Sequence, residues 1–361
     1  MTNDKADEKE LDIFCAGNAI VDVFAHDETG LALRYGLDKP VQHVEIERLK
    51  SLLSELGETT AVSGGGAANA AKVAALLGAK VSFTGAVSDD RFGQIFGEEL
   101  KAAGVKTLLV EKRSPTGICL MLQTGEGTRI AASPSAALEF SEDDVNEEEI
   151  RKAKVVVIDG FMLGRHDIVR RILTLADNYE TAAAMDLGSP AIAAEEAAEI
   201  AAYIALVNAT SFDAASHNTR RHPIFLFMNE DEAVSFHNGL GHGRDRPAAA
   251  FEQTREFFKS LTKEKLYLVI VVKLGKLGAV CFANGENFHA AAEAVEAVET
   301  TGAGDAFCGA FLAAWARGRS LTECAALGNR AARIVLDGTG TKVDKNAFKD
   351  LAALLEASAG A

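Results

Sequence analysis

The chain has 361 residues, 48% of them hydrophobic and 25% charged, which is a globular composition and excludes a disordered chain. Lys and Arg number 37 against 52 Asp and Glu, a formal net charge of -15, and such a surface repels nucleic-acid backbones. No apolar run approaches the roughly 20 residues that cross a bilayer, and the polar start MTNDKADEKE predicts no secretory leader and no membrane partner. Five scattered cysteines (Cys15, Cys119, Cys281, Cys308 and Cys324) form no metal-type pair and are expected as small buried side chains in a reducing cytoplasm.

Short apolar runs alternate with Ala- and Leu-rich stretches. The predicted strands are Asp12–Cys15, Val81–Thr84, Val155–Asp159, Ala182–Asp186, Ile224–Met228 and Leu268–Lys273. They lack polar alternation, as strands buried on both faces do, and several end in Gly, Asp or Asn. The predicted helices are Ala67–Leu77, Phe92–Ala103, Ile168–Asp177, Ala193–Ala201, Ala248–Leu261, Asp305–Ala316 and Leu321–Leu336. This rhythm predicts an α/β fold: a three-layer α/β/α sandwich around a mostly parallel sheet. Two segments break it. Asp22–Val44 has no clear helical period, and Gly117–Ala131 reads as two short strands around Thr124-Gly125-Glu126-Gly127. Small lid strands are expected within about 22–44 and 115–133. No linker or internal repeat divides the chain, so residues 1–361 are expected to form one domain.

The common phosphate motifs are missing. Gly275-Lys276 is followed by Leu277, which breaks a Walker A loop, and G-x-G-x-x-G fails at Asn69 and at Phe307. The histidine-bearing stretches His217–His222 and His237–His242 have Asn, Arg and Gly neighbours and read as solvated loops.

The strongest signal is E-T-T-G-A-G-D-A-F, Glu299–Phe307. Small residues entering a helix leave backbone N–H groups free, and the helix dipole adds positive charge. Gly302, Ala303 and Gly304 thus suit an anion such as a phosphoryl group. Asp305 stands at the mouth of that hole, where a carboxylate can take a proton from an attacking hydroxyl. By itself the run also fits a plain glycine turn with an Asp cap.

The run T-T-G-A-G-D-A-F resembles the signature of the ribokinase-like (PfkB) carbohydrate kinase family. That resemblance implies Asp305 as catalytic base, the Gly302-Ala303-Gly304 amides around the transferring phosphate, and ATP with Mg²⁺ as cofactors. Three further segments match in order. C-A-G-N-A-I-V-D, Cys15–Asp22, resembles the opening G-N-x-x-x-D and implies that Asp22, with Asn18, binds acceptor hydroxyls. S-G-G-G-A-A-N-A-A, Ser63–Ala71, resembles the N-terminal glycine motif and implies substrate contacts at Gly65, Gly66 and Asn69; many ribokinases carry Lys where this chain has Gly66. F-M-N-E-D-E, Phe227–Glu232, resembles N-x-x-E and places Asn229 and Glu232 near Mg²⁺. V-K-L-G-K-L-G-A, Val272–Ala279, resembles the nucleotide side and implies Lys273, Gly275 and Gly278 beside ATP. Asn329 matches a position near the adenine, and Pro115–Gly117 opens the second lid stretch.

One residue departs from the pattern. Glu299 stands where the family has the Asp that, with a nearby Thr (here Thr301), helps hold K⁺, and the longer side chain argues against that ion. The expected function is ATP-dependent phosphorylation of a primary hydroxyl on a sugar or nucleoside. A catalytically silent sugar- or nucleoside-binding protein of the same fold is the alternative. The opening motif and the long Asp22–Val44 segment resemble adenosine-kinase-like members more closely. A nucleoside would need apolar surface for its base, with Phe24, Tyr35 and Phe161 as candidates. A sugar phosphate would need a basic cluster, to which Arg129 or Arg165 would contribute. The chain is expected as a monomer or a homodimer paired through its lid. Asp305 is expected to have a low pKa at its helix N-terminus.

Overall fold

The computed structural model describes residues 9–210, 222–242, 251–264, 267–293, 301–337 and 345–357. Its first seven strands are β1 Leu11–Ala16, β2 Ile20–His26, β3 Val41–His43, β4 Thr59–Gly64, β5 Val81–Val87, β6 Lys106–Glu111 and β7 Gly117–Thr124. The next seven are β8 Gly127–Ser133, β9 Ala153–Ile158, β10 Ala182–Asp186, β11 Ile224–Asn229, β12 Leu268–Lys273, β13 Ala279–Ala283 and β14 Glu286–Ala290. The helices begin with α1 Leu31–Arg34, α2 Ile46–Glu55, α3 Gly66–Leu76, α4 Arg91–Ala102, α5 Glu147–Lys152 and α6 His166–Asn178. They continue with α7 Pro190–Glu195, α8 Ala197–Thr210, α9 Glu230–His237, α10 Phe251–Glu264, α11 Ala303–Trp315, α12 Leu321–Asp337 and α13 Lys345–Ala357.

Nine strands form the main sheet in the order β14-β13-β12-β11-β10-β9-β1-β5-β6. Seven of them run parallel, and β13 and β14 add an antiparallel margin. The absence of polar alternation in the predicted strands has its cause here, because both faces are covered. Ile13, Cys15, Val155, Val157, Phe225 and Phe227 share one core with α3 and α11. Phe14, Ala16, Val156, Ile158, Leu226 and Met228 share the other with α6 and α9. The fold is the expected three-layer α/β/α arrangement.

A second sheet has the order β3-β8-β7-β2-β4. Thus C-A-G-N-A-I-V-D is split between two sheets: Cys15 ends in the main sheet and Asp22 lies in the small one. β4 lies outside both predicted lid segments; T-T-A-V-S-G runs straight into the glycine stretch and gives no strand signal of its own. One face of the small sheet, with Val21, Val23, Leu120 and Leu122, is buried in a core shared with Leu31, Leu49 and Leu52 of α1 and α2. The opposite face carries Asp22 opposite Cys119 and Phe24 opposite Met121.

Some boundaries differ from expectation. The helix predicted at 193–201 is two, α7 and α8; α7 starts earlier, at Pro190, where the Ser189 side chain accepts from the Ile192 amide at 3.2 Å. His237 is no solvated loop residue: it is buried on α9, hydrogen-bonded to Thr254 at 3.1 Å and stacked on Phe257. His217 and Glu299 lie outside the described residues.

The two helices that carry the motif residues touch backbone to side. A Cβ on Gly309 of α11 would stand 2.2 Å from the Ala70 carbonyl oxygen of α3. This close approach needs glycine, and it fixes how Asn69 meets Asp305. Gly309→Ala is therefore expected to destabilise by about 1–3 kcal/mol through overpacking. The denaturation midpoint in urea should fall with an unchanged slope; an unshifted midpoint would show that the helices are free to separate.

Candidate active site

The parallel strands end on one side of the sheet, where α/β proteins place ligands. A cleft of about 460 Å³ opens there, lined by Gly66, Asp159, Phe161, Asp186, Asn229, Glu232, Lys273, Gly275, Gly278, Ala303, Gly304, Asp305 and Asn329 among others. Most of the motif residues therefore meet, although they come from positions 66 to 329. Asn18, Asp22, Gly65, Asn69 and Gly302 do not line this cleft.

The turn before α11 is built by Gly302, whose φ of 80° is left-handed and suits glycine. The helix starts at Ala303, two residues before its predicted start. Its first amides, on Ala303, Gly304 and Asp305, have no intrahelical acceptor and carry the positive end of the dipole. The Asp305 carboxylate accepts a 3.0 Å hydrogen bond from Asn69 Nδ2. Its pKa is raised, contrary to expectation. Desolvation is the main cause and the Asp186 carboxylate the next, and together they outweigh the Asn69 hydrogen bond and the Lys273 and Lys72 ammoniums. The helix dipole does not prevail over burial among like charges.

Asp22 is buried on β2 of the five-stranded sheet. Burial pushes its carboxyl up to about 7, with Lys72 pulling down and Asp305 pushing up. A Cβ on Gly64 would lie 2.3 Å from the Asp22 carboxylate, and one on Gly65 2.6 Å from the Asn18 carbonyl. The glycine run thus lets the backbone close on both residues. A Cβ on Gly66 would stand 3.3 Å from Asp305 Oδ1, so a side chain there would crowd the carboxylate. Asn18 donates to the Phe161 carbonyl at 3.3 Å, and its buried Oδ1 has no donor among the described residues.

Lys273 holds Asp186 at 2.8 Å, with the two side chains 16% and 19% exposed. Burial works against its charge, but Asp186 and Glu232 hold its pKa above the ordinary value. Asn229 and Glu232 form a reciprocal cap at the start of α9. Asn229 Oδ1 accepts from the Glu232 amide at 2.8 Å, and the Glu232 carboxylate accepts from the Asn229 amide at 2.8 Å and from Nδ2 at 2.9 Å. Asn329 donates to the Ala290 carbonyl at 2.9 Å, which ties α12 to β14 beside the cleft.

Two cleft residues have no counterpart in the motifs. Asp159 follows β9, is buried, and accepts from the Phe161 amide at 2.9 Å; burial raises its carboxyl to about 6. Asp186 ends β10 and pairs with Lys273. The available signal was their place at the carboxyl ends of parallel strands.

The sequence profile of the pfkB family of carbohydrate kinases matches residues 39–347. The chain belongs to that family. An adenosine kinase from Schizophyllum commune is 27% identical over 344 residues, covering 91% of this chain and 95% of the relative. A 5-dehydro-2-deoxygluconokinase from Bacillus velezensis is 24% identical over 372 residues, covering 97% and 96%. Among solved structures, an adenosine kinase from Sinorhizobium meliloti superposes with a TM-score of 0.76 at 25% identity, covering 96% of this chain and 99% of that one. A probable sugar kinase from Rhizobium etli gives 0.78 at 25% identity, covering 97% and 99%. The pfkB member described here is a phosphotransferase with an alcohol group as acceptor, and its family implies the use of ATP. No helix among its described residues is long and apolar enough to cross a membrane.

Proposed function

We propose that this pfkB member transfers the γ-phosphoryl group of ATP to the primary hydroxyl of a nucleoside or sugar, with a nucleoside favoured. The carrying observation is the Asp305 carboxylate at the start of α11, oriented by Asn69 and flanked by free first-turn amides in the cleft. In this reading the whole chain works as one kinase domain, with the five-stranded sheet as its lid. Asp22 and Asn18 receive the acceptor hydroxyls. Asp305 takes the proton of the primary hydroxyl as its oxygen bonds to the γ-phosphorus and the bond to ADP breaks. Its raised pKa makes it a better proton acceptor than an ordinary aspartate. The amides of Ala303, Gly304 and Asp305 oppose the charge on the moving phosphoryl group. Lys273, Gly275, Gly278 and Asn329 hold the nucleotide.

The oxygen donors of Asn229 and Glu232 suit a hard cation, but both are engaged in the helix cap, so they fit a hydrated Mg²⁺ held through its waters. Bound with ATP, Mg²⁺ would neutralise charge on the β- and γ-phosphates. A sugar phosphate is disfavoured, because Lys273 is the one cation lining the cleft among the described residues. Arg129 pairs with Glu126, and Arg165 donates to the Ala137 carbonyl, both away from it. Phe161 lines the cleft at 59% exposure and offers a face for a base. Tyr35 is bound to Glu55. Helices α1 and α2 cover one face of the five-stranded sheet, and the other face carries Asp22 with the half-buried Phe24 and Met121.

ADP release measured with Mg²⁺-ATP and a panel of adenosine, other nucleosides, ribose, fructose and fructose phosphate tests this reading. Acceptor-dependent release is expected, highest for a nucleoside. Release that no acceptor stimulates would leave the silent binding protein as the better account. The raised pKa of Asp22 also fixes a pH dependence. The ionised carboxylate accepts hydroxyl donors and the protonated one loses that capacity. Acceptor KM should therefore climb as pH falls through about 7. A KM flat from pH 5 to 9 would remove Asp22 from acceptor binding.

A further inference from the structure

Behind Asp22 lies a buried polar chain that the catalytic reading does not use. Lys72 of α3 is 5% exposed, and its ammonium donates to the Ser63 carbonyl at 2.8 Å and to Ser63 Oγ at 2.9 Å. The Ser63 amide and hydroxyl in turn donate to one oxygen of Glu99, on α4, at 2.7 and 2.9 Å. Ser63 is the last lid residue before the glycine run, so two helices of the main body grip the lid at its root. A lysine ammonium has three donors, and Ser63 occupies two. Asp22 is itself buried, and no hydrogen bond reaches its carboxylate among the described residues.

A buried ammonium is costly unless it serves a partner. Glu99 is the first such partner, and the Asp22 and Asp305 carboxylates follow, while burial lowers the Lys72 pKa. The Asp22 carboxylate lies against Gly64, where an added Cβ would stand 2.3 Å from it, directly after the Ser63 carbonyl that the Lys72 ammonium holds at 2.8 Å. The charged and titratable groups around it are thus Lys72 from α3, Asp305 from α11 and Cys119, its partner position on β7. Only one of the three is a cation.

We propose that Lys72 is a positioning residue that keeps Asp22 ionised for the acceptor while Ser63 and Glu99 hold the ammonium in place. This rests on the reading of Asp22 as the acceptor-binding carboxylate. Without the cation, Asp22 faces only Asp305 and a thiol, keeps its proton above neutral pH, and at pH 7 no longer accepts two hydroxyl donors.

The test uses the full chain with ¹³C-carboxyl aspartate, the Asp22 resonance being the one lost in Asp22→Asn. In the wild type it is expected to titrate near about 7. In Lys72→Met and Lys72→Gln the midpoint should rise by about one to three units, the usual effect of losing a close opposite charge, and Lys72→Arg should restore it. The acceptor KM at pH 7, for the best substrate of the panel above, should rise about fivefold or more and recover toward pH 9. A merely structural lesion would depress binding equally at every pH. Should the Lys72 variants not fold, wild type labelled at lysine ¹³Cε serves instead: the Lys72 signal should inflect at the Asp22 midpoint, and the inflection should vanish in Asp22→Asn. An unmoved Asp22 midpoint, or no inflection, overturns the coupling alone. An unchanged acceptor KM in Asp22→Asn overturns the acceptor reading instead.

Discussion

Asp305→Asn is expected to lower turnover by about 10²–10⁴-fold, the usual contribution of a general base, while ATP binding stays measurable. The substituted amide can present its oxygen to Asn69 and keep the 3.0 Å contact, but it has no basic oxygen left to take the hydroxyl proton. Stability should move the other way. The Asp305 pKa is raised in the folded protein, so its ionised form is disfavoured there relative to the unfolded chain, and this cost is present above the unfolded pKa. Removing the charge at pH 7 relieves it, and the thermal midpoint should hold or rise. Lower turnover with intact or higher stability is the signature of a catalytic group. Near-normal turnover would discard the role, and a large fall in stability would make the residue structural.

Lys273→Met should lose both stability and nucleotide affinity. The Lys273–Asp186 pair is mostly buried, and removing one partner of such a pair costs about 3–5 kcal/mol. Partial solvent contact places the expected loss at the lower end. The change also strips the cleft of the one lining cation noted above and leaves Asp186, Glu232 and Asp305 facing the phosphates. ATP affinity should fall about tenfold or more, as for loss of a charge-assisted contact. Pairing Lys273→Met with Asp186→Asn separates the two effects: thermal unfolding should recover and ATP titration should not. Recovery of both would assign Lys273 to folding only.

How much of this was legible depended on where each residue gets its signal. Strands such as Ala182–Asp186 are covered on both faces and read as unbroken apolar runs. β6 and β14 lie at the sheet margins, partly exposed, with Lys106, Glu111 and Glu286 among their residues, and they passed unread. The turn into α11 was legible because its chemistry is contiguous, Gly302 through Asp305. Asp159 and Asp186 were not, since each is a lone acid at a strand end whose partners are far along the chain. Lys72, set among alanines, reads as an ordinary helix lysine; only the packing of α3 against β4 reveals its buried ammonium. The direction of the Asp305 pKa was misread for the same reason: the local dipole is visible in sequence, and the burial of the carboxyl and the opposing Asp186 are not.

The most direct test of the account is a crystal structure with a non-hydrolysable ATP analogue and the preferred acceptor. The γ-phosphoryl group should rest on the amides of residues 303–305, with the acceptor hydroxyl within about 2.6–3.2 Å of the Asp305 carboxylate and the acceptor's other hydroxyls on Asp22. A triphosphate bound away from the start of α11, or an acceptor with no hydroxyl near Asp305, would contradict it.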